Sequence, residues 1–70
     1  MRNQQMTYFD YTTVAKEAGI TDRDLSLIEE LMRSEFPHDE MMRDLHILRA
    51  CMAVRDGRIT VDQVLNRKAA

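Results

Sequence analysis

Three residues that resist helix interiors, Gly19, Pro37 and Gly57, are the main punctuation of this sequence. Inside a helix a glycine costs about 1 kcal/mol and a proline about 3 kcal/mol relative to alanine, so such residues mark boundaries. The chain has no other glycine or proline in its 70 residues. Long tracts therefore run without a breaker, and within them apolar residues recur at three- and four-residue intervals. That spacing belongs to helices packed on one side. The pattern predicts an all-α fold, a small bundle of about four helices.

A first helix is expected over residues 10–18, with Asp10 as its cap and Gly19 as a left-handed stop. Tyr8, Phe9 and Tyr11 are expected to pack its start against the core. Thr21 caps a second helix over 22–35, since its hydroxyl can accept from the Asp24 amide, and Asp22 and Asp24 suit the positive end of the helix dipole. Leu25, Ile28, Met32 and Phe36 share one face of it. Pro37 disfavours helical geometry in the residue before it and can itself open a third helix over 37–56. There Met41, Leu45, Leu48 and Met52 form a stripe, which Ile47, Cys51 and Val54 widen to about half the circumference at 100° per residue. So apolar a helix needs neighbours on more than one side and is expected to be central. Met32, Met41 and Met52 read as core, and Met42 as either core or contact surface. Thr60 and Gln63 match a capping box for a last helix over 61–67.

A chain of this size is one domain, residues 1–70, with a thin core that favours a partner or a second copy. Residues 1–6 and 68–70 are polar and expected to fray. The single cysteine fits a reducing compartment, and neither a transmembrane-length apolar run nor a signal peptide is present, so a cytoplasmic location is expected. Charge is unevenly spread. Residues 10–44 hold ten acids against four bases, a balance of −6. From Leu45 onward there are two acids against five bases, a balance of +3. The two halves are built for different surroundings.

The stretch VAKEAGITDRDLSLI, residues 14–28, has the frame of a helix-turn-helix. Ala15 is the small residue in the first helix, Gly19 takes the turn and Ile20 plugs the core. Val14, Ala18, Leu25 and Ile28 complete the apolar frame. Residues 11–30 resemble the helix-turn-helix of lac-repressor-type regulators and, more loosely, that of mercury-resistance-type regulators. The resemblance implies that Thr21, Asp22, Arg23, Ser26, Leu27 and Glu30 face the major groove. DNA reading, however, draws most of its binding energy from phosphate neutralisation, which demands cations close by. Residues 22–34 carry four acids and two bases, the wrong sign for that surface. Arg49, Arg55, Arg58, Arg67 and Lys68 would have to lie beside the second helix to compensate.

Other chemistry finds little footing. His38 and His46 lie two turns apart and roughly 80° round an ideal helix, and with Asp39, Glu40 or Asp44 they form no compact ligand set. They read as solvated groups on the helix surface. RDGRITVDQ lacks the acidic positions of a calcium loop. Cys51 sits in an apolar stripe, as a packed cysteine does. No metal, cofactor or enzymatic activity is expected.

Three functions remain open. The first is a protein-binding module that contacts a basic surface of another regulator through its acidic helix, as an inhibitor or anti-activator; Asp22, Arg23, Ser26, Leu27 and Glu30 would carry the contact. The second is a helix-turn-helix transcriptional regulator that reads DNA as a dimer through the same residues. The third is a structural or assembly subunit. A two-fold homodimer is expected, with Met41, Met42, Leu45, Leu48 and Met52 as its candidate interface.

Overall fold

A computed structural model of the chain describes residues 9–67. They form four helices and no strand, an all-α bundle: α1 (Tyr11–Glu17), α2 (Asp22–Glu35), α3 (Glu40–Arg55) and α4 (Val61–Val64). The expected fraying of residues 1–6 and 68–70, and the expected packing of Tyr8, fall outside the described residues.

Local chemistry explains the boundaries. The Asp10 carboxylate accepts from the Thr13 amide and from the hydroxyls of Thr12 and Thr13 at 2.9 and 2.8 Å. These bonds hold its carboxyl below the usual range. Gly19, at φ +75°, ends the helix, and the Ile20 amide donates back to the Ala15 carbonyl at 3.0 Å. Thr21 then caps α2, accepting from the Asp24 amide at 3.1 Å. Gly57 repeats the stop after α3 at φ +77°, with the Arg58 amide reaching the Ala53 carbonyl at 2.9 Å.

Two boundaries differ from expectation. The third helix begins at Glu40 rather than at Pro37, because the Asp39 side chain accepts from the Met42 amide at 3.0 Å and acts as the cap. Pro37 and His38 belong to the turn before it. The capping box on α4 forms, with Gln63 Oε1 accepting from the Thr60 amide at 2.8 Å and Thr60 accepting from the Gln63 amide at 3.1 Å. That helix nevertheless stops at Val64 rather than running to residue 67. Asn66 takes a left-handed φ of 57°, and the Arg67 amide closes back onto the Asp62 carbonyl.

The third helix is the hub, with α1 and α2 both packed on it. The core is Tyr11, Ala15, Ile20, Ile28, Ile47 and Cys51, surrounded by the half-buried Val14, Leu25, Met32, Leu48, Val54 and the apolar side chains of α4. Its centre on α3 is the line through Ile47 and Cys51. The stripe of Met41, Leu45 and Met52 lies about 120° round the helix from that line. Met41 is 54% exposed and Met42 38%, while Leu45 and Met52 are half-buried outside the core cluster. The core role expected for Met41 and Met52 is therefore corrected; Met32 packs against the core as expected. The seven-residue α1, α2 and the single turn of α4 cover only part of α3, and its methionine side is left over. Asp44, expected at the solvated surface, is instead buried, at 8% exposure.

Candidate functional site

The outward face of α2 starts from its cap. With Thr21 fixing the first turn and Ile28 fully buried, Leu25 and Met32 are drawn inward, and the opposite side must face solvent. Asp22, Arg23, Ser26 and Glu30 are exposed and Leu27 is half-buried. On an ideal helix these five occupy one arc of about 140°. The face expected from the sequence is therefore contiguous and open to a partner.

Its electrostatics are less one-sided than its composition. Among the acids of α2, Glu29 accepts a 2.7 Å hydrogen bond from the Tyr11 hydroxyl, tying α2 to α1. Burial, then that carboxylate, pushes the Tyr11 hydroxyl far above its ordinary pKa. Asp24 accepts from Arg67 at 3.3 Å. Both carboxylates are thus engaged within the fold. Asp22 and Glu30 have no ion-pair or hydrogen-bond partner among the described residues, apart from helix backbone bonds. Arg23 and Arg33 share the exposed surface with them.

The basic residues of the C-terminal half divide: Arg49 and Arg58 are exposed with no ion pair among the described residues, whereas Arg67 and Arg55 are paired. Arg67 does lie beside α2, but its guanidinium is clamped by Asp62 at 2.6 Å and by Asp24. Arg55 is spent on Glu17 at 3.1 Å and on Asp56 at 3.3 Å. In each case the carboxylate hydrogen bonds hold the guanidinium charged. Lys68 is outside the described residues. A bundle of free cations flanking α2 is not formed by Arg55 and Arg67.

Beside the acidic face runs a groove of about 380 Å³ between α2 and the end of α4, lined by Leu27, Glu30, Leu31, Leu65 and Arg67. Leu27 and Glu30 were legible as contact candidates. Leu31 and Leu65 were not, because their meeting depends on where the short last helix lands. Arg67 holds that landing place by bridging Asp62 of α4 to Asp24 of α2.

The dimer candidates on α3 separate into two groups. Met41 and Met42 are exposed, and Leu45 and Met52 half-buried, on one continuous side. Leu48 packs against the core. His46 stacks on Phe36 with ring centroids 4.6 Å apart, and its Nδ1 lies 2.9 Å from the Met42 carbonyl oxygen, so it closes the end of α2 onto α3. Among the described residues no three His, Cys, Asp or Glu side chains come together to hold a metal ion. Cys51 is fully buried, and burial pushes its thiol up to about 11. No helix of the described residues is long and apolar enough to cross a membrane. No protein-family model, curated protein or solved structure matches the chain.

Proposed function

We propose that this chain is a small non-enzymatic protein-binding module, which contacts a basic surface of another regulator through the outward face of α2 and acts as an inhibitor or anti-activator. The observation that carries this reading is the pair Asp22 and Glu30. They stand exposed on one face, about 12 Å apart along the helix axis, with Leu27 and the exposed Arg23 on the same arc and no partner among the described residues. Exposed carboxylates around an apolar side chain favour a cationic protein surface with an apolar centre.

The helix-turn-helix resemblance gives the scaffold a second reading, DNA recognition by a dimer. The fold lends it less support. Of the C-terminal arginines that could flank α2, Arg55 and Arg67 are each occupied by two carboxylates, which leaves fewer free cations for phosphate contacts.

Self-association fits either reading, and the uncovered methionine side of α3 is the surface we assign to it. Sedimentation of the wild type against a Met41→Asp/Met42→Asp variant reads it directly. The expected result is a dimer for the wild type and a monomer for the variant; a monomeric wild type at high concentration overturns the assignment.

The binding proposal is tested by immobilising the chain and a D22K/E30K variant in parallel and quantifying the proteins each retains. A basic-surfaced protein held by the wild type and lost by the variant is the expected outcome. Equal retention refutes the reading. Glu29 is left unchanged in this test, because its bond to Tyr11 would confound binding with stability.

A further inference from the structure

The groove between α2 and α4 adds an apolar anchor point to the acidic face. It is lined by Leu27, Leu31 and Leu65 and by two charged side chains, Glu30 and Arg67, of unequal standing. Arg67 is neutralised by Asp62 and Asp24, whereas Glu30 has no partner among the described residues. The groove is therefore apolar with a net negative rim. A volume of about 380 Å³ lies in the range of small binding clefts and admits a few apolar side chains.

We infer that this groove takes the apolar face of an amphipathic helix on the partner, with leucine-type side chains seated on Leu27, Leu31 and Leu65 and a lysine or arginine one turn away meeting Glu30. The inference rests on the protein-binding reading and deepens it. The charge argument decides the occupant. An acidic helix would place carboxylates against Glu30, and a purely cationic segment would leave three leucines wet. Helix-in-groove recognition joins apolar anchors at i, i+3 and i+4 to flanking charges of the opposite sign. Salt bridges at the rim add specificity and on-rate, while the seated leucines supply the affinity.

Two peptides of about 15 residues, long enough to form a helix when bound, separate the possibilities. One carries leucines at helical spacing among lysines; the other has every leucine replaced by alanine at the same charge. Each is titrated into isotope-labelled protein while the methyl resonances are followed by NMR. The expected result is that the leucine peptide shifts the methyls of Leu27, Leu31 and Leu65 and binds tenfold or more tightly than the alanine peptide. E30K should weaken it while leaving the thermal unfolding curve in place.

Equal binding of both peptides, with shifts at Asp22 and Glu30 amides only, overturns the groove and leaves the acidic face standing. Shifts confined to Met41 and Met42 also overturn it. Concentration-dependent shifts of the groove methyls before any peptide is added would place a second copy there instead and refute the inference. If neither peptide perturbs α2, both the groove and the acidic-face reading fall.

Discussion

Ile47→Ala and Met41→Ala are two truncations on the same helix whose costs should differ by an order of magnitude. Ile47 is 1% exposed and sits in the core cluster with Ile28 and Cys51, so truncation removes three buried carbons and leaves a cavity. Such changes cost about 2–5 kcal/mol. A domain of this length has a total stability of roughly 4–10 kcal/mol, so the loss is a large fraction of it. With a shift of about 4–8 °C per kcal/mol, the Tm should fall by about 8–40 °C. Met41 is 54% exposed, and its truncation removes little buried surface while placing a better helix former in the first turns of α3. Its effect should stay within about 0.5 kcal/mol. Urea and thermal unfolding followed by circular dichroism at 222 nm measures both. A Met41→Ala loss comparable to that of Ile47→Ala, measured at a concentration low enough to keep the chain monomeric, would mean that the methionine side of α3 faces the core, and the placement of α1 and α2 would be wrong.

Three more outcomes follow from the packing. Cys51 has a folded pKa raised from 9.0 to about 11 by burial, so the neutral thiol is favoured in the fold. Its contribution to stability is full below pH 9 and is lost as pH rises towards 11; Cys51→Ala should remove that part of the alkaline decline, and an unchanged pH profile would contradict the burial. Tyr11→Phe deletes the 2.7 Å donation to Glu29, a half-exposed carboxylate that water can re-solvate, and should cost about 1 kcal/mol in urea unfolding; no loss would mean the bond is not formed. Gly19→Ala meets nothing within 4 Å, so its cost of about 1–2 kcal/mol is backbone strain alone at φ +75°, and a neutral or stabilising result in the same assay would contradict the left-handed turn.

What the sequence made legible was local. Asp10, Thr21 and the Thr60–Gln63 box cap helices because a side chain reaches the amide three residues on, and Gly19 and Gly57 stop them because of their own φ. Those interactions are written within a few consecutive positions. The same locality explains why Asp22, Arg23, Ser26, Leu27 and Glu30 could be placed on one outward face before any packing was known.

The rest depends on contacts between distant residues. Apolar side chains surround most of α3, so its sequence does not select a buried side; the landing of α1 and α2 does. That is why Met41 and Met52 read as core and are not, and why Asp44 read as solvated and is buried. The Tyr11–Glu29 bond spans 18 positions and the Arg67–Asp24 bond 43. Both change which charges of α2 are free, and neither leaves a periodic signal. The groove forms where Leu65, packed against the core just past α4, comes to line the same hollow as Leu31.

The central claim is that α2 presents its acids to a protein and not to a nucleic acid. Fluorescence anisotropy of a labelled random duplex, titrated with the chain at low and then at physiological salt, tests it most directly. No association at low salt, up to roughly hundred-micromolar protein, is the expected result. Micromolar binding that weakens steeply with added salt would contradict the claim and make the helix-turn-helix frame a groove reader after all.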